Sequence, residues 1–72
     1  MNAHNEMTHE DVQRVKLGVL TREHRDLDEA IGALEERPLP DQLTLRRLKK
    51  RKLMLKDKIQ RIEDDLTPDI IA

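Results

Sequence analysis

Two prolines, Pro38 and Pro40, stand near the middle of the 72-residue chain and constrain it more than any other feature. Proline has no amide hydrogen and biases the preceding residue away from the helical region, so Arg37 and Leu39 are poor helix-interior positions. Residues 37–41 are therefore predicted to form a tight corner. On either side of it apolar residues recur at spacings of three and four, the period of a helix rather than a strand. Upstream the series is Leu17, Leu20, His24, Leu27, Ile31 and Leu34; downstream it is Leu45, Leu48, Lys52, Leu55, Ile59, Ile62 and Leu66. Each is a heptad seam with one polar interruption.

The two seams mirror each other about the corner. Pairing positions whose numbers sum to 79 sets Leu34 against Leu45, Ile31 against Leu48, Leu27 against Lys52, and His24 against Leu55. The same rule continues through Leu20–Ile59 and Leu17–Ile62 to Gln13–Leu66. The predicted fold is all-α: a two-helix antiparallel coiled-coil hairpin. Thr8, followed by Glu10 and Asp11, is the expected first N-cap, and Asp41 the second. These signals divide the chain into a flexible extension (1–8), helix 1 (about 9–36), the corner (37–41), helix 2 (about 42–66) and a tail (67–72). Gly18 and Gly32 interrupt the first helix; Gly18 reads as a weak point or a site of close helix approach, Gly32 as close packing.

A hairpin of this size has a thin core. The chain has no Phe, Trp, Tyr or Cys, so neither large aromatics nor disulfides reinforce it. Self-association is the remaining remedy below roughly 70–80 residues, and a homo-oligomer or a protein partner is expected. The apolar residues off the seam, Val12, Val15, Val19, Leu39, Leu43, Leu53 and Met54, are the candidate face for it. The alternative is that these are scattered surface residues of the ordinary kind.

Charge divides along the chain. Residues 1–37 carry nine acids and five bases, and residues 38–72 carry six acids and nine bases. The cations Arg46, Arg47, Lys49, Lys50, Arg51, Lys56 and Lys58, together with Lys52, form a candidate basic patch opposed within it only by Asp57. Phosphate binding needs such clusters. Against it stand the lack of stacking aromatics and a pI of about 6.3, below that of typical nucleic-acid modules. The register instead sets the cations beside Glu23, Asp26, Asp28, Glu29, Glu35 and Glu36, so a charge-compensated solvated face is favoured over nucleic-acid binding.

Lys52 can lay its methylenes along the seam while its ammonium reaches a carboxylate such as Asp28, fixing register. His24 reads as a packed, hydrogen-bonded imidazole rather than a ligand. His4 and His9 have no third ligand nearby, so no metal is expected. The chain has no Ser, Cys, Tyr or glycine-rich phosphate loop, and its carboxylates lie on solvated helix faces. No catalytic residue, cofactor or small-molecule substrate is expected. The longest apolar run, Leu17 to Leu20, is far short of the ~20 residues that span a bilayer. Acids, amides and histidines near the start differ from a signal peptide; without cysteines, a cytoplasmic setting is expected.

Two stretches carry more than heptad patterning. The first, from Arg22 to Ile31 (Arg-Glu-His-Arg-Asp-Leu-Asp-Glu-Ala-Ile), resembles the first helix of the YdcH-like small bacterial proteins. The second, from Leu48 to Ile59, resembles their second helix in its order of Lys52, Leu53, Leu55, Lys56 and Asp57. The resemblance spans about residues 20–66. It implies a bacterial cytoplasmic helical hairpin of undefined molecular function, with no catalytic residues to carry over. His24, Leu27, Leu48, Lys49, Lys52, Leu55, Lys56 and Asp57 match the family pattern.

Overall fold

A computed structural model describes residues 7–67. Two helices, α1 (His9–Glu35) and α2 (Gln42–Leu66), pack on each other as a hairpin, with no strand among the described residues. Most of the extension (1–6) and of the tail (68–72) predicted from the sequence lies outside the described residues.

The start of α1 is fixed by a reciprocal capping box. The Asp11 amide donates to Thr8 Oγ1 at 3.0 Å, and the Thr8 amide donates to Asp11 Oδ2 at 3.3 Å. Both bonds satisfy amides that a helix start leaves unpaired. Asp41 does more at the start of α2. Its Oδ1 accepts from the Leu43 and Thr44 amides, each at 3.1 Å, and its Oδ2 from the Thr44 hydroxyl at 2.8 Å. Those bonds hold the Asp41 carboxyl below its ordinary pKa of 3.8, the Thr44 amide contributing most. α1 ends at Glu35, where Glu36 caps it, and the prolines follow in the turn. The chain then re-enters a helix directly after Asp41.

Every one of the thirteen seam residues is buried or half-buried. Ile31 and Leu45, each 4% exposed, and Leu55, at 9%, are the most deeply buried. Two of them flank the corner, where the arms are tied by the chain itself. Four side-chain bonds cross between the arms and bracket the register: Asp28 with Lys52, Glu35 with Lys49, and His9 and Gln13 both with Asp65.

Of the two readings of Gly18 the structure keeps the weak point and removes the close approach, and it removes close packing at Gly32. A Cβ built on Gly18 or Gly32 meets nothing within 4 Å, so neither is demanded by close packing. Neither has a positive φ, so the helix needs no glycine there.

Two measurements check this packing. Gly18→Ala is expected to stabilise the hairpin by about 0.5–1 kcal/mol in urea melts followed by circular dichroism, because alanine forms helix better and finds open space. Leu55→Ala is expected to destabilise it by about 2–5 kcal/mol, as buried leucine truncations do, while Val15→Ala on the exposed face stays within about 0.5 kcal/mol.

Candidate interaction faces

Three features rise from the hairpin: polar groups at the seam, apolar residues that the seam leaves outside, and an uneven distribution of charge. The seam's polar group is Lys52. Its stem is half-buried at the layer of Leu27, and its Nζ donates to Asp28 Oδ1 at 2.7 Å. The hydrogen bond from Lys52, reinforced by its charge, holds the Asp28 carboxyl below its ordinary value, outweighing partial desolvation. Lysine can do this because its methylenes cover apolar surface while the ammonium stays at the edge. His24 is half-buried in the seam and contributes a small charge effect on Asp28.

At the open end, His9 Nε2 lies 3.0 Å from Asp65 Oδ2, and Gln13 Nε2 donates to the same oxygen at 3.1 Å. The His9 bond, then that from Gln13, holds Asp65 below the usual carboxylate range. This clamp joins the start of α1 to the end of α2. From the sequence, His9 is considered only as a metal ligand without a third partner. The signal that could have found the clamp was the Gln13–Leu66 layer, which sets Asp65 next to the start of α1.

The apolar residues outside the seam do not form one face. Leu53, 68% exposed, and Met54 lie side by side on the outside of α2, beside Lys58, Gln60 and Arg61. Leu43 is exposed at the start of α2, and Leu39, 91% exposed, projects from the corner between the two prolines. Val15 and Val19 are exposed on α1. Val12 departs from the expected stripe. It is half-buried, because it adjoins Gln13 at the seam's edge rather than standing on the outer surface.

Of the basic residues, Lys49 pairs with Glu35 at 2.8 Å, and Lys52 with Asp28. Arg46, Arg47, Lys50, Arg51, Lys56 and Lys58 are exposed and make no ion pair among the described residues. Of the acids set beside them by register, only Asp28 and Glu35 engage a cation of α2. Charge compensation across the hairpin is thus partial: the long side chains need only approach, and exposed pairs gain little by closing.

Among the described residues no group of three or more His, Asp or Glu side chains is placed to hold a metal ion. No described helix is long and apolar enough to cross a membrane.

The family described as "Protein of unknown function (DUF465)" matches residues 18–63, well over half of the sequence. The chain belongs to this family. The YdcH-like resemblance is consistent with that membership. The DUF465 match begins at Gly18 and closes at Glu63, so it takes in the corner, the Lys52–Asp28 pair and all of the basic patch. It leaves the His9–Asp65 clamp outside. No curated protein and no solved structure matches the chain significantly.

The three depressed carboxylates give the hairpin a defined response to acid. Their protons are held less tightly in the folded chain than in the unfolded one, so their stabilisation is fully present above the ordinary value of 3.8 and is lost as pH falls through the lower folded values. The melting temperature is expected to fall below about pH 4. Lys52→Met should make that fall shallower while leaving neutral-pH stability equal or higher, since a well-packed apolar side chain replaces the ion pair and the exposed Asp28 hydrates freely. Thermal melts from pH 7 to pH 2 check both.

Proposed function

We propose that this DUF465 protein is a small non-catalytic interaction module of the cytoplasm, acting through coiled-coil self-association or by docking on a protein partner. The observation that carries this reading is the exposed pair Leu53 and Met54 on the outside of α2, away from the seam that already holds the hairpin together. A rigid helix presenting adjacent apolar side chains loses little conformational entropy when a partner covers them. The flanking cations favour a partner with acidic groups around its apolar contact. Val15 and Val19 offer a second, smaller apolar surface on the opposite arm.

A second reading is supported by the six cations of α2 that make no ion pair among the described residues: a nucleic-acid-associated protein binding phosphates through this helix. The two differ in their response to salt. Apolar docking should persist at high salt, whereas phosphate binding weakens steeply as counterion release loses its advantage.

Affinity capture from a native extract at low and high salt, with and without nuclease, separates the readings. Docking on a partner predicts a bound protein retained at high salt and after nuclease, and lost with Leu53→Asp or Val15→Asp. Material that disappears with nuclease, with salt, and with charge reversal at Lys49 and Lys50 would replace it with the nucleic-acid reading.

A further inference from the structure

The hairpin has two flanks, and they are chemically unlike. On one, Lys49 and Glu35 close an ion pair over the seam. On the other, the arms leave an open groove lined by Glu23, Asp26, Leu27, Ala30, Arg51 and Leu55. The groove floor is seam: Leu27 is half-buried and Leu55 is among the most buried residues. Its α1 wall is acidic, its α2 wall basic, and Glu23 and Arg51 form no ion pair across it. Spacings of three and four carry each wall onward. On α1, Val19 precedes Glu23 and Ala33 follows Ala30; on α2, Met54 and Lys58 follow Arg51. Small residues and a valine therefore flank charges of opposite sign on the two arms.

We infer that a second copy of the chain covers this groove, with the two hairpins packed face to face about a two-fold axis parallel to their long axis. This rests on the self-association half of the interaction reading above, but places it on the groove flank and leaves the Leu53 surface free for another partner. Charge selects the axis. In an arrangement with parallel hairpins, α1 of one copy overlies α2 of the other at the same layer. Glu23 and Asp26 then meet the basic wall of Arg51 and Lys58, twice over by symmetry. Turning the axis perpendicular to the helices would lay α1 on α1 and α2 on α2. Acid would face acid and base would face base, an arrangement that opposes association. The parallel arrangement makes a four-helix bundle in which acidic and basic arms alternate, and Ala30 allows close helix approach at its centre. It also supplies the second apolar layer that a seam one side chain wide lacks.

The full chain has no cysteine, so Leu39→Cys at the corner carries a single spin label. Sedimentation is expected to give twice the 8.5 kDa chain mass. Electron–electron dipolar spectroscopy is expected to place the two corners about 10–30 Å apart, from a helix spacing of about 10 Å plus the label arms. Ala30→Arg, which keeps a good helix former at an exposed position, should weaken dimerisation at least tenfold without loss of helicity, whereas Leu53→Asp should leave the dimer intact. A monomer at millimolar concentration overturns the inference. So does a corner-to-corner distance of about 40 Å, the value for antiparallel copies whose axis crosses the groove about 12–13 residues from the corner, at 1.5 Å rise per residue. A dimer lost with Leu53→Asp but unaffected by Ala30→Arg also overturns it, while leaving the interaction reading standing on the α2 surface. Failure to capture any partner, with the parallel dimer present, confines that reading to self-association and supports the inference.

Discussion

A single apolar seam, one side chain wide, holds the two arms together, and the proline corner sets its register. The corner is short because Pro38 and Pro40 exclude helix there and Asp41 restarts it at once. A short corner leaves little freedom for the arms to slide, so the apolar residues on either side meet layer by layer. Only Ile31, Leu45 and Leu55 are deeply buried among the described residues, and none is shielded completely. With so thin a core, stability depends on contacts at many layers rather than on a compact centre.

Polar groups refine this arrangement at three places along its length. Asp41 fixes the start of α2, Lys52 and Asp28 bridge the middle, and His9, Gln13 and Asp65 join the open end. All three carboxylates are exposed as well as bonded, so each adds direction more than energy. Lys52 has the clearest effect on specificity. Sliding the arms by a heptad would set Lys52 beside Thr21 in one direction and beside Glu35 in the other, so the pair selects against the first slide and the short corner against the second.

Much of the fold was legible because the helix period and the corner are local signals that agree with one another. Thirteen seam positions could be assigned from spacing, and the caps from Thr8, Asp11 and Asp41. Side-chain choices at the surface were not legible in the same way. Register placed six acids beside the basic helix, yet only Glu35 and Asp28 close on cations, because rotamers and solvent decide exposed pairs. Close approach at Gly18, one of its two readings, and close packing at Gly32 are absent from the structure, since spacing alone does not tell the solvent side of a helix from a packed flank. The open groove was missed for a related reason. Ala30 and Arg51 look unremarkable in sequence and become a surface only when the arms are set side by side.

The interaction surfaces proposed for this protein depend on the arms being opposed in the mirrored register. A spin-label pair at Arg22→Cys and Asp57→Cys, diluted with unlabelled chain to isolate distances within one molecule, reads that register directly. The mirrored register predicts about 10–25 Å between the labels, from helices about 10 Å apart in one layer. A distance of about 50 Å, as for one continuous helix rising 1.5 Å per residue, would contradict it.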